Sequence, residues 1–291
     1  MSVSPRETSD DSPGADGPTE PPGPVRSDAS VILHATDNGV LRITLNRPEA
    51  LHAITADLRE QLISKFFDAS ADPAVRAVVV TATGRAFCAG ADLRAASGAR
   101  PAEPVPGDVA RVLQRGAQRL IGAVLDCEKP VIAAVNGIAA GLGAHLALAC
   151  DLVMAGESAQ FIEVFVRRGL VPDGGGAYLL PRLVGPRRAK ELMFFGDTLS
   201  AADAERLGLV NLVVPDGELA GAARAWAERL AAGPTRTLAL TKQLVNASLD
   251  TDRATAFAAE AAAQEINMST ADAREGLASF TERRAPRFRG R

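Results

Sequence analysis

Charge of one sign, metal-ligating side chains and long apolar runs are all scarce in this chain. Lys and Arg total 32 against 35 Asp and Glu, a net charge of −3, so a nucleic-acid surface is not expected. None of the three histidines stands at metal-ligand spacing from another, and Cys88, Cys127 and Cys150 form no CxxC pair. A resident metal is therefore not expected. The cysteines lie in apolar stretches, which predicts reduced, buried thiols and a cytoplasmic protein. No apolar run approaches the roughly 20 residues that span a bilayer, and the N-terminus shows no charged-then-apolar leader pattern. A membrane partner is not expected. There is no GxSxG elbow and no P-loop. The run Gly137 to Gly143 (GIAAGLG) departs from GxGxxG, so a dinucleotide fold is unsupported. No Ser/His/Asp set stands out.

What is present is an ordinary globular balance, 47% apolar and 23% charged over 291 residues, enough for a large core. Met1 to Asp28 is rich in Pro, Gly, Ser and acids and cannot bury enough surface to offset its ordering entropy; a disordered tail is expected. Val31 to Leu33 and Val40 to Leu45 flank Asp37-Asn38-Gly39, the pattern of a β-hairpin. Leu58, Leu62 and Phe66 predict a helix over about Thr55 to Ala71. Ala77 to Thr81 reads as a strand covered on both faces, and Gly84 to Gly90 as a loop. Val109 to Asp126 has helical spacing. Pro186 to Phe195 and Ser200 to Leu207 are expected helices, the second capped by Ser200. Val210 to Val214 is a short strand, and from Gly217 onward the pattern is helical, with Trp226 in a core stripe. The final basic run, Arg283 to Arg291, reads as solvated or as a contact for phosphates or a neighbouring subunit. Strands alternating with helices, then helices alone, define an α/β fold with a C-terminal helical segment.

The stretch Lys129 to Gly176 organises the rest. Val131 to Val135 is a buried strand broken at Asn136-Gly137. Gly141 and Gly143 feed an Ala- and Leu-rich helix, about Leu142 to Cys150. Leu152 to Ala155 is a second short strand, and Pro172-Asp173 precedes three glycines. Backbone N–H groups exposed where a helix begins carry partial positive charge and favour an anion or a developing oxyanion.

The residues KPVIAAVNG, GLGAHLALACDLVMAGESAQF and GLVPDGGGAYLLPRLVG, with GRAFCAGADL (Gly84 to Leu93) and NRPEALHAIT (Asn46 to Thr55), stand in the order of a known signature. From about Val31 onward the chain resembles the enoyl-CoA hydratase/isomerase, or crotonase, family. The resemblance implies a spiral of repeated β-β-α units over residues 29–232. It also implies a C-terminal helical segment, 233–291, that packs at the interface of a homotrimer or a dimer of trimers. The ligand implied is an acyl-CoA thioester, coenzyme A being part of the substrate and no separate cofactor being needed.

Carried over by position, the resemblance assigns two oxyanion donors, the N–H groups of Ala91 and Leu142. Leu142 replaces the glycine usual between Gly141 and Gly143, which a backbone donor tolerates only where φ is ordinary. Ala53, Ala89, Gly90, Ala91, Asp92, Leu93 and Arg94 match the segments that contact coenzyme A. The two glutamates of the family's hydratases are absent; His145 and Phe165 stand in their places. Glu163 lies two residues from the second position and would need a local shift to reach the site. Asp173 matches a carboxylate seen in the family's isomerases and in its aryl-CoA dehalogenase. The helix expected after it would favour the ionised form, ready to act as a base; the plainer alternative is an N-cap. His145 on an apolar helix is either a satisfied core group or an assistant in proton transfer. The favoured activity is a double-bond shift in an enoyl-CoA with Asp173 as acid/base. The alternatives are a 2-enoyl-CoA hydratase using Glu163 or His145, a protein that binds acyl-CoA without chemistry, and, more weakly, a thioester hydrolase.

Overall fold

The computed structural model of the chain describes residues 30–94 and 106–291. The expected tail, Met1 to Asp28, and residues 95–105 lie outside the described residues.

The hairpin forms as expected from β1 (Ile32–Asp37) and β2 (Val40–Leu45), paired antiparallel. Asn38 and Gly39 take φ of 50° and 78°, as a tight turn with the strands' own twist requires. Helix α1 (Ala56–Ala71) starts at Thr55, whose hydroxyl accepts from Leu58 N–H, and buries Leu58, Leu62, Ile63 and Phe66.

From β3 (Ala77–Ala82) onward the chain alternates between two sheets. It leaves β3 for β4 (Ala86–Cys88), β5 (Val131–Val135) for β6 (Ile138–Ala140), and β7 (Leu152–Gly156) for β8 (Gln160–Ile162). The first strand of each pair joins a six-stranded sheet with β1, β2 and β10 (Leu212–Val214). The second joins a four-stranded sheet with β9 (Thr198–Ser200). All of these pairings are parallel except β1 with β2 and β8 with β9. This repeated step between two sheets is the spiral that the sequence resemblance implies.

The four-stranded sheet is what the periodicity of the sequence passes over. Strands β4, β6, β8 and β9 have three residues each, too few for a period of two to show. The segment Gly84 to Gly90, expected as a loop, thus contains a strand. Val109 to Asp126 is not one helix but two, α2 (Asp108–Arg115) and α3 (Ala117–Leu125). They break at Gly116, where a Cβ would stand 2.6 Å from the Val112 carbonyl and 2.8 Å from Arg59 Nη1. Helix α4 is Leu142–Leu148. Helix α5 spans Gly176–Phe195 and is interrupted by Gly185 at φ 76°, ψ 159°; its first half is the helix expected after Asp173, and Pro186 opens its second half, as expected. In α6 (Ala201–Arg206) Ser200 caps Asp203 N–H at 3.1 Å.

Four helices end the chain: α7 (Leu219–Ala231), α8 (Thr235–Ser248), α9 (Arg253–Met268) and α10 (Ala271–Glu282). Helix α7 covers the outer face of the six-stranded sheet, burying Leu219, Ala223 and Ala227, with Trp226 partly buried beside them. Lys242 of α8 ties the helical segment to the core through Asp151 (2.9 Å) and the Val124 carbonyl (3.0 Å). The basic C-terminus is not merely solvated. Asp272 accepts from the N–H groups of Arg289 (2.6 Å) and Gly290 (2.7 Å), and Arg76 donates to the Phe288 carbonyl. Cys88, Cys127 and Cys150 are buried and unpaired, and burial pushes the Cys88 thiol up to about 12. No helix of the described residues is long and apolar enough to cross a membrane.

Candidate active site

The site is assembled where β4, β6 and β8 of the smaller sheet end. Helix α4 begins in a position that only glycine permits. Gly141 takes φ 51°, and at Gly143 a Cβ would stand 2.1 Å from the Cys88 carbonyl oxygen. The first turn of α4 therefore lies directly against the end of β4. Leu142 itself is helical, so its side chain brings no backbone strain. That side chain is 4% exposed and packs beneath Gly174.

The facing loop is held by a buried histidine. His52, fully buried at φ 56°, accepts from Arg47 N–H through Nδ1 (3.0 Å) and meets the Thr83 carbonyl through Nε2 (2.7 Å). A carbonyl accepts only, so the proton is on Nε2 and the ring is neutral. Burial lowers the pKa of His52 below 6.5. With the folded value depressed, the unfolded chain binds the extra proton first, and stability falls as pH drops through about 6.5. The melting temperature is expected to decline between pH 7 and 5.5, and His52→Gln to flatten that decline; thermal melts at several pH values check it.

Around Ile54 the loop forms a parallel bridge to Ala91. Ile54 N–H donates to the Gly90 carbonyl (2.7 Å) and Asp92 N–H to the Ile54 carbonyl (3.0 Å). This pattern uses the neighbours of Ala91 and turns its own N–H to the opposite side. Leu142 N–H belongs to the first helical turn, whose donors have no intrahelical partner. Among the described residues neither amide donates to a protein acceptor. The two loops touch: a Cβ on Gly90 would lie 2.8 Å from the Ala140 carbonyl and 3.5 Å from Leu142 N.

The other residues expected at a coenzyme A contact line the same loop. Ala53 has its N–H on the Ala50 carbonyl (3.0 Å) and its own carbonyl accepting from Arg47 (2.6 Å), leaving only one carbonyl lone pair for a ligand. Ala89 N–H is used by the Leu51 carbonyl. Asp92 faces Arg47 at 3.6 Å and Arg94 at 3.5 Å, while Leu93 and Arg94 are largely exposed.

The ionisable groups cluster around helix α4. His145 is fully buried, and its Nε2 stands 3.1 and 3.0 Å from the two Glu163 oxygens. Its ring stacks on Phe165, with centroids 5.4 Å apart and planes 11° from parallel. Gly176 permits this closeness, since a Cβ there would lie 2.2 Å from Nε2. Glu163, expected to need a local shift, is itself buried with both oxygens on His145. A carboxylate on Nε2 fixes a proton there, so Nδ1 is the ring's open nitrogen. Nδ1 is buried, has no partner among the described residues, and faces Gly174 next to Asp173.

Asp173 is half-buried, and among the described residues its carboxylate accepts no hydrogen bond. It is not a cap: α5 begins after Gly175 with no side-chain cap bond, and only the main-chain carbonyl of Asp173 is used, by Gly176 N–H. The expected bias towards the ionised form is opposed by burial. Burial raises the pKa of Asp173 above the usual 3.8, and the nearby His145 draws it only partly back. The pairing of His145 with Glu163 was not foreseen. Its signal was available, because a lone histidine in a wholly apolar helix needs a buried partner.

Two mainly parallel sheets linked strand by strand, with amides on adjoining loops unpaired among the described residues, define the crotonase class of spiral folds. A family model described as enoyl-CoA hydratase/isomerase matches residues 35–291. A Rhodobacter capsulatus protein named "probable enoyl-CoA hydratase" is 41% identical over 260 residues, 89% of this chain and 98% of its own. The 1,2-epoxyphenylacetyl-CoA isomerase of Escherichia coli is 39% identical over 260 residues, with the same coverage. Among solved structures, the enoyl-CoA hydratase of Bacillus anthracis superposes with a TM-score of 0.84 at 34% identity, covering 90% of this chain and 100% of that one. The chain belongs to the enoyl-CoA hydratase/isomerase family and is an acyl-CoA enzyme.

Proposed function

We propose that this enzyme moves a double bond in an enoyl-CoA, holding the thioester as an enolate while Asp173 transfers the proton. The observation that carries the reading is three polar groups without a protein partner among the described residues: the Ala91 and Leu142 amides and the Asp173 carboxylate. An α-proton of a thioester becomes acidic when charge on the carbonyl oxygen is stabilised. Two main-chain amides do this without reorganising, and losing one such donor costs roughly 3–4 kcal/mol in comparable holes. Asp173 takes the proton and returns it at another carbon, so one group serves as base and then acid. Its raised pKa brings the acid form closer to working pH, which favours the return step. His145, held by Glu163 and Phe165, turns Nδ1 towards Gly174 beside Asp173.

A 2-enoyl-CoA hydratase remains the second reading, favoured by the names of several relatives. Hydration is better served by two groups around a water. Here Glu163 has both oxygens on His145 Nε2, which leaves Asp173 as the carboxylate without a partner.

The test offers a 3-enoyl-CoA and a trans-2-enoyl-CoA to the wild type and to Asp173→Asn. Isomerisation that disappears in the variant is the expected result. Hydration that persists in it would transfer the role to Glu163 and His145, and binding without turnover would make the chain a carrier.

We further propose a homotrimer or a dimer of trimers. Helix α9 buries none of its 16 residues in the single chain, and Phe257 and Phe280 are 61% and 85% exposed. Such apolar surface is expected to meet another copy.

A further inference from the structure

A second cleft opens at the other end of the larger sheet, where β3 and β5 begin. It has a volume of about 500 Å³ and is lined by Ala71, Pro73 and Val75 on one side. Arg76, Lys129, Arg289 and Arg291 supply its charge. Lys129 is 8% exposed, yet among the described residues its ammonium makes no hydrogen bond and no ion pair.

The acids nearby act on it only from a distance, without an ion pair among the described residues. Glu128 is paired with Arg236 at 3.0 Å, and Asp272 is taken up by the amides of Arg289 and Gly290. Asp72 accepts from Ala74 N–H. The Arg76 guanidinium donates only to neutral acceptors, Thr235 Oγ1 (3.0 Å) and the carbonyls of Gly233 (2.6 Å) and Phe288 (3.4 Å). Arg289 and Arg291 are exposed, with side chains in no ion pair among the described residues. A largely buried lysine with no hydrogen-bonded counter-charge is unfavourable; burial lowers its pKa, and the more distant charges of Glu128 and Asp72 only partly offset this. A multiply charged anion in the cleft would remove that penalty, and planar guanidinium forks match phosphate oxygens.

We propose that this cleft binds the phosphate group of a small phosphorylated metabolite, with the mostly buried Lys129 as its counter-charge. The site is separate from the thioester site: its loops precede β3 and β5, whereas Ala91 and Leu142 follow β4 and β6. Occupancy would clamp the C-terminal tail, through Arg289 and Arg291, onto the core.

Inorganic pyrophosphate is the probe, titrated calorimetrically and by thermal shift into the full chain with coenzyme A at saturation. The wild type is expected to bind one equivalent per chain, with a rise in melting temperature that grows with ligand concentration. Lys129→Met, of similar length, is expected to weaken binding at least tenfold and to melt higher than the wild type when no anion is present. Arg289→Ala, remote from the buried core, is expected to weaken binding while leaving the unliganded melt unchanged. No binding, displacement of pyrophosphate by coenzyme A, or equal affinity in Lys129→Met would each overturn the proposal. So would a lower unliganded melt of Lys129→Met accompanied by subunit dissociation, which would assign the ammonium to a carboxylate of a second copy.

Discussion

Asp173→Asn is expected to lower kcat for double-bond migration by about 10²- to 10⁴-fold, the usual range for loss of a positioned acid/base, with little change in KM. The amide preserves the shape of the side chain and cannot take a proton. The fold has no stake in the carboxylate: it caps no helix and accepts no hydrogen bond among the described residues. The same substitution is expected to raise stability at neutral pH. The folded-state pKa of Asp173 is raised, so between the unfolded and folded values the native state holds the extra proton. Stability therefore falls as pH rises through that window. The variant removes an ionised, partly desolvated group. Steady-state kinetics and thermal melts on one preparation check both halves; a variant that lost activity and stability together would point to a structural role. In the wild type the acidic limb of kcat is expected above the ordinary carboxylate pKa of 3.8.

Gly143→Ala is expected to damage fold and activity together. The added methyl carbon would stand 2.1 Å from the Cys88 carbonyl oxygen and 2.7 Å from the Cys88 carbonyl carbon and Cβ. Those atoms belong to β4, which is fully buried and cannot swing aside as a flexible side chain does. Helix α4 must move off the strand instead. Overpacking of this kind costs about 1–3 kcal/mol and sometimes more, a drop of several degrees in melting temperature for a domain of this size. The displaced helix carries the Leu142 amide with it. Loss of one oxyanion donor lowers kcat by about 10²- to 10³-fold. Gly122→Ala is the control, since a Cβ there has only the Asp126 carboxylate within contact range at 3.9 Å. Melts and kinetics on the two variants should separate cleanly.

Much of the larger sheet was legible in the sequence because its central strands β3, β5 and β7 are five or six residues long and mostly buried on both faces, as in Val131 to Val135. The hairpin was legible from Asn38-Gly39, and α1 from Thr55 and its stripe. The smaller sheet was not, because three-residue strands such as Ala86–Cys88 carry no period and are defined by neighbours distant in the chain. Gly116 and Gly185 interrupt helical stretches through backbone geometry that a hydrophobic pattern does not register. At the site, the glycines and Asp173 stood out through the family resemblance. The state of Asp173 did not, since its pKa depends on burial beneath loops from other repeats. The His145–Glu163 pair joins α4 to the residue after β8, 18 positions on, and only folding brings the two together.

The central claim is that one thioester oxygen sits between the Ala91 and Leu142 amides with Asp173 across from it. A crystal structure of the full chain with a bound acyl-CoA tests this most directly. The account predicts the thioester oxygen about 2.7–3.1 Å from both amide nitrogens, with the Asp173 carboxylate over the carbon that loses its proton. A thioester oxygen bound elsewhere, or either amide turned to a protein acceptor, would contradict it.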